Sequence, residues 1–226
     1  MGVVGGPDSI VTDGLIFYID PANSTSFVTG SGTVTDMISG VTGVTASATH
    51  LADNAGIFDV NGGSLDFAAA SNFFAASGSF SVSMWLNYDD APAGYADSPF
   101  NIEASGTWTQ GFGFVNDSVT GNLRWYIKQY NQNQVTTSVT VGQWHNLVGT
   151  WDGSTLELFR DGISIGTDTF TGGITEASLN LPLKIGRAAY SGGQMDGKFS
   201  TFMIYNRRIT AAEALQNYNA LKDRFV

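Results

Sequence analysis

The side chains that could do chemistry are few and spread out: Glu103, Glu157, Glu176 and Glu213, the histidines His50 and His145, scattered aspartates and no cysteine. Cleaving a glycosidic bond takes two carboxyl groups about 5–9.5 Å apart, a spacing that alternate positions on one strand face provide. None of the glutamates stands in such a pattern. Asp59 and Asp66, near a short predicted hairpin, also lack an acid two residues away. These acids read as solvated strand residues, and only acids converging from separate loops would give a hydrolase. Ser/His/Asp catalysis would use His50, in a low-complexity link, or His145, beside Trp144 in a strand; a structural role fits both better. No catalytic residue is assigned.

Two binding chemistries stay open. Asp89, Asp90 and Asp97 in one loop, or Asp152 and Asp196 in turns, offer hard oxygen ligands of the kind calcium takes. No EF-hand spacing is present and turn-forming aspartate is the plainer reading, so no cofactor is assigned and calcium is the alternative. A sugar site needs an exposed aromatic ring. Trp108, in Ala104-Ser-Gly-Thr-Trp-Thr, and Tyr95, Tyr126 and Tyr130 fall on loops or on the polar face of a strand and are the carbohydrate-binding candidates. Trp85, Trp125, Trp144 and Trp151 read as core, and packing competes evenly with binding for Trp108.

Length and composition bound the scaffold. A chain of 226 residues with 42% hydrophobic residues and 28 glycines suits one large all-β domain with many tight turns. The net charge of −10 and the scattered ten Lys and Arg leave no basic footprint for phosphates, which argues against nucleic acid. No apolar run approaches the ~20 residues that span a bilayer, so no membrane insertion is expected. Met1-Gly-Val-Val-Gly-Gly-Pro lacks the basic start and apolar core of a secretory signal, and the expectation is a full-length chain outside that route.

The elements that must position these residues centre on Gln143 to Tyr205. Asp161-Gly162, between Leu156-Glu-Leu-Phe159 and Ile163-Ser-Ile165, predicts a type I′ hairpin. Trp151-Asp-Gly-Ser154 predicts the turn before it, giving strands over 144–150, 155–160 and 163–168. Ser79 to Tyr88 alternates cleanly, with Phe80, Val82, Met84, Leu86 and Tyr88 on one face. Strands are further expected over 15–19, 57–60 and 64–67 as a hairpin about Asn61-Gly-Gly63, 110–116, 122–130, 181–186 and 199–205. Residues 29–49 read as a long connection with one weak strand, 89–98 as an acidic loop, and 172–180 and 190–193 as loop and turn. Residues 1–9 read as a flexible arm and 10–226 as one domain. Thr210 with Glu213 is a capping box, and Leu215, Tyr218 and Leu221 give an apolar stripe, so a helix is expected over about 211–222.

Trp144-His-Asn-Leu-Val-Gly-Thr-Trp-Asp-Gly153, Leu156-Glu-Leu-Phe-Arg-Asp-Gly162, Leu183-Lys-Ile-Gly-Arg187 and Met195-Asp-Gly-Lys-Phe-Ser-Thr-Phe-Met-Ile-Tyr-Asn-Arg207 together resemble the laminin G-like branch of the concanavalin A-like lectin/glucanase superfamily. The resemblance implies a two-sheet antiparallel jelly-roll sandwich, here with one short C-terminal helix. It also implies that loop oxygens could hold calcium, while the Glu-x-Asp-x-Glu pattern of the superfamily's bacterial β-glucanases is missing. The fold itself leaves function open. The entry Leu15-Ile-Phe-Tyr-Ile-Asp-Pro-Ala-Asn23 and the ending from Asn206 to Phe225 resemble laminin G-like proteins encoded by tailed bacteriophages. That implies a non-enzymatic virion structural protein, a lectin-like capsid decoration or fibre component on the particle surface, partnered by other virion proteins and docked through the N-terminal arm or the C-terminal helix. The alternative is a carbohydrate-binding adhesion module for cell-surface glycans.

Overall fold

The computed structural model describes residues 9–46, 49–51, 56–60, 62–75, 78–92, 98–104, 108–117, 119–129, 131–174, 176–188 and 194–226. The strands are β1 (Leu15–Ile19), β2 (Thr33–Thr35), β3 (Thr42–Ala46), β4 (Thr49–Leu51), β5 (Ile57–Asp59), β6 (Ser64–Ala69), β7 (Phe80–Tyr88), β8 (Phe100–Ile102), β9 (Gly111–Asn116), β10 (Asn122–Lys128), β11 (Gln134–Ser138), β12 (His145–Trp151), β13 (Thr155–Arg160), β14 (Ile163–Thr169), β15 (Pro182–Ile185) and β16 (Gly197–Tyr205). Two helices join them, the single turn α1 (Glu176–Leu179) and α2 (Ala211–Leu221). Sheet A runs β14-β13-β12-β7-β16-β5-β4, with β1 also pairing along β16. Sheet B runs β11-β10-β9-β8-β15-β6-β3-β2. All named pairings are antiparallel, and the two sheets form a jelly-roll-type sandwich.

Alternation decides which side chains meet between the sheets. Phe80, Val82, Met84, Leu86 and Tyr88 of β7 enter one buried cluster with Leu123, Trp125 and Ile127 of β10. Gly149 on β12 makes room for Trp125, because a Cβ there would stand 2.2 Å from the indole ring. The same indole donates to the carbonyl of Thr150 at 3.1 Å, tying one sheet to the other. Asp161 (φ 54°) and Gly162 (φ 78°) both take the left-handed backbone that the two-residue turn requires.

The outer face of sheet A is covered as well. Trp85, Val148, Phe159, Met203 and Tyr205 form a second cluster with Val11, Ala214 and Leu221. Helix α2 starts on the expected capping box, with the Glu213 amide donating to Thr210 Oγ1 at 3.3 Å and the Thr210 amide to Glu213 Oε2 at 2.7 Å. Arg207 clamps the same carboxyl at 2.6 and 3.0 Å. Val11 and Tyr205 are joined to α2 through Asn217, whose Oδ1 accepts from the Val11 amide at 2.8 Å.

Several sequence expectations change. Residues 57–59 and 64–69 are not a hairpin: β5 pairs with β16 in sheet A and β6 with β15 in sheet B. The glycine-rich turn carries the chain from one sheet to the other, which local alternation does not distinguish from a hairpin. Residues 29–49 hold β2, β3 and the start of β4, polar strands at sheet edges. Strands β8 and β11 escape the sequence reading because each is short and polar in places, and α1 replaces part of an expected loop. Of the expected stripe on α2, Leu221 is buried and Tyr218 packs partly buried against the second cluster, but Leu215 is 44% exposed, and Ala214 and Asn217 complete the buried face. The arm over residues 1–9 lies outside the described residues up to position 8, as does the turn at 190–193.

Candidate functional site

Strands β10, β9 and β8 lie side by side near one end of sheet B. With Trp125, Phe114, Phe112, Phe100 and Ile102 turned into the core, the residues between them face outward. Tyr126 pairs with Gly113, and Gly113 with Asn101. Because Gly113 has no side chain, the Tyr126 phenol crosses it and accepts a hydrogen bond from Asn101 Nδ2 at 2.6 Å. An added Cβ at Gly113 would lie 2.5 Å from the Phe100 carbonyl oxygen, so glycine is required there. The phenol also hydrogen-bonds Glu103. Glu103 Oε2 in turn accepts from the amides of Gln110 and Gly111 at 3.1 and 2.9 Å. Burial, reinforced by the neighbouring Glu103 carboxyl, pushes the Tyr126 hydroxyl well above its ordinary value, so it stays protonated and can donate.

Trp108 caps this polar row, packed with Tyr126, Val115 and Ala188. Its φ of 57° is left-handed, a conformation a bulky side chain adopts only when its surroundings hold it there. Two ion pairs flank the row on the same face, Arg124 with Asp117, and Lys184 with Asp66 at 3.2 Å. The arrangement sets an amide, a phenol and an indole side by side, the amide and phenol buried and bonded to each other beside the Trp108 ring.

The structure brings Trp108 and Tyr126 together but corrects their exposure. Trp108 is 8% exposed and Tyr126 is fully buried. The polar-face assignment of Tyr126 is right, but bare Gly113 lets the ring lie down against the sheet and out of solvent. Tyr95 and Tyr130 lie outside the described residues. The sequence alone does not join Asn101 and Glu103 to Tyr126; the signal it offers is Gly111-x-Gly113, two bare positions on one strand face.

The other candidates are occupied with structure. His145 Nε2 accepts from the Thr140 amide at 3.1 Å while Nδ1 meets Asp161 at 3.0 Å, so both ring nitrogens are engaged. His50 lies in β4, where only the backbone is described. Glu157 and Glu213 are held by Arg208 and Arg207, each at 2.6 Å. Asp89 pairs with Lys198, Asp97 is outside the described residues, and Asp152 Oδ1 accepts from the amides of Ser154 and Thr155 at 3.0 and 2.8 Å. Among the described residues no group of three His, Asp or Glu side chains comes together. A separate open cleft of about 280 Å³ lies against Phe73, Phe74 and Phe80, with Asn72, Ser79 and Asn206 at its walls and no titratable side chain lining it.

Residues 59–214 match a laminin G family model described as the Concanavalin A-like lectin/glucanases superfamily. The chain belongs to that superfamily. No curated protein sequence matches it. Among solved structures it is similar to domain 4 of AbnA, an extracellular arabinanase from Geobacillus stearothermophilus in complex with arabinotriose, with a TM-score of 0.70 and 14% identity over 90% of this chain and 98% of that one. It is also similar to Trypanosoma rangeli sialidase in complex with sialic acid, with a TM-score of 0.67 and 15% identity, covering 96% of this chain and 35% of that one. The binding domain of botulinum neurotoxin serotype D/C gives a TM-score of 0.61 and 13% identity, covering 92% of this chain and 52% of that one. The chain thus spans about a third of the sialidase and about half of the toxin domain, and at these identities the likeness is one of fold.

Proposed function

We propose that this chain is a non-catalytic carbohydrate-binding module whose ligand face is the outer face of sheet B around Trp108. The observation that carries the reading is the Asn101–Tyr126–Glu103 row, built beneath a tryptophan held in a left-handed backbone. Strained residues persist where the surroundings over-determine them, and binding surfaces are the usual place. The glutamates support the non-catalytic half: Glu103 is fully buried under backbone donors, while Glu157 and Glu213 are locked in ion pairs. Domain 4 of the arabinanase, a unit of matching extent, is described in complex with arabinotriose, which makes a neutral oligosaccharide the first ligand to try.

Retention on immobilised glycans, with and without calcium, tests it. Wild type should be retained by at least one glycan, and Trp108→Ala or Tyr95→Ala should weaken retention about tenfold with the far-UV spectrum unchanged. No retention of wild type on any glycan would refute the reading, and release of reducing sugar would refute its non-catalytic half.

A virion setting is the second reading, favoured by the resemblance of residues 15–23 and 206–225 to phage-encoded sequences. In this reading the sugar face would serve attachment, where many weak contacts add up. Quantitative mass spectrometry of purified particles decides it, since absence of the chain from virions removes the setting.

A further inference from the structure

On the outer face of sheet A, opposite to the face discussed above, four adjacent side chains carry polar atoms that find no partner among the described residues: Trp85 Nε1, Asn87 Oδ1, Asn146 Oδ1 and Thr201 Oγ1. Register makes them neighbours. Trp85 pairs with Asn146 across β7 and β12, Asn87 lies two residues along the same face of β7, and Thr201 sits in the β16 irregularity between Phe199 and Phe202 that lies beside Trp85. Their exposures are 0% for Trp85 and Thr201, 1% for Asn146 and 8% for Asn87. A buried polar atom without a partner is costly, so four together mark a place suited to something that hydrogen-bonds.

What covers this floor is α2 and the segment that follows it. After α2, a turn of 3-10 helix (Lys222–Arg224) directs Phe225 onto the tryptophans, with ring centroids 4.6 Å from Trp85 and 4.8 Å from Trp144. Tyr218 stacks on Trp85 at 5.5 Å. The strap is fastened by Arg224, which forks onto Asp20 at 2.9 and 3.0 Å. That fork engages the Arg224 guanidinium, and the unpaired set is neutral: an N–H donor, two amide acceptors and a hydroxyl. The Phe225 ring thus covers both tryptophans, tilted by 30° to Trp85 and 39° to Trp144.

We propose that Phe225 occupies a second, self-filled saccharide slot on sheet A, where one ring of a neutral glycan would stack against Trp85 and Trp144 and satisfy Asn87, Asn146, Thr201 and the Trp85 indole N–H. Hydroxyl groups both donate and accept, which this mixed floor requires and an ionic ligand does not supply. A saccharide gains the slot only by lifting the strap, so the segment after α2 sets a threshold on binding. The slot is separate from the sheet B face, and its failure leaves that reading standing.

The test is tryptophan fluorescence titration of wild type, Phe225→Ala and Phe225→Ala/Trp144→Ala with arabinotriose, maltotriose and cellotriose. Phe225→Ala should bind at least one of them ten times or more tighter than wild type, and the added Trp144→Ala should abolish the gain. No gain in Phe225→Ala, or a gain that survives loss of Trp144, overturns the slot and assigns the unpaired atoms to ordered water. Should Phe225→Ala not hold its fold by circular dichroism, Arg224→Gln, which frees the strap from Asp20 and keeps the ring, carries the same expectation, and absence of a gain there overturns it equally.

Discussion

Asn101 donates to the Tyr126 hydroxyl at 2.6 Å across a strand that has no side chain between them. Removing that hydroxyl takes one buried hydrogen-bond partner from Asn101 and one from Glu103. Tyr126→Phe should therefore destabilise the protein by about 1–3 kcal/mol although it removes one oxygen and no volume of note. Gly113→Ala should do at least as much, because its Cβ would meet the Phe100 carbonyl oxygen at 2.5 Å and its φ of 155° lies where alanine is strained. Urea midpoints measured by fluorescence check both; equal midpoints for Tyr126→Phe and wild type would mean that the row adds nothing to stability.

Gly149 and Trp125 give a sharper contrast. A methyl group at Gly149 would lie 2.2 Å from the Trp125 ring, buried between sheets that cannot both yield. Overpacking of this kind costs about 1–3 kcal/mol or more, so Gly149→Ala should lower the melting temperature by several degrees. Gly166→Ala, with its nearest neighbour a side-chain methyl at 3.5 Å, should move it little.

Acid should unfasten the N-terminus of α2. The Arg207 guanidinium holds the Glu213 carboxyl down to about 2 from its ordinary 4.5, with the Thr210 amide and hydroxyl adding to the effect. For Asp152 burial pushes upward, but hydrogen bonds from Thr155, Ser154 and Arg208 outweigh it and bring the carboxyl to about 2 from 3.8. Both groups are depressed in the folded state, so the unfolded chain binds more protons below pH about 4.5, and the stability they contribute is present above that pH and lost as pH falls toward about 2. Urea midpoints at pH 7, 4.5 and 2.5 should fall in that order, and Glu213→Gln, which keeps the capping geometry but loses the charge pair with Arg207, should shrink the fall while costing no more than about 1 kcal/mol at neutral pH.

The parts legible in the sequence are those whose signal is local. Strand β7, the Asp161-Gly162 hairpin and the capping box of α2 are each written in ten residues or fewer, and the structure places them within a residue or two of expectation. The pairing of β5 and β6 was not legible, because a glycine turn that crosses between sheets reads the same as one that returns within a sheet. The burial of Tyr126 was not legible for a related reason. Exposure of Tyr126 depends on what stands beside it on β9, and a bare glycine eleven or more residues away in sequence decides that the ring lies flat. Trp85 illustrates the reverse, a core assignment that holds through a helix and a terminal phenylalanine more than a hundred residues later.

Backbone amide NMR of the wild-type chain titrated with arabinotriose and then a wider set of neutral oligosaccharides tests the central claim most directly. Saturable shifts clustered on β8, β9 and β10, at Asn101, Gly111, Gly113 and Tyr126 with the Trp108 indole, are the result expected of a carbohydrate module using the outer face of sheet B. Shifts confined to sheet A, or no saturable shift with any sugar, would contradict it.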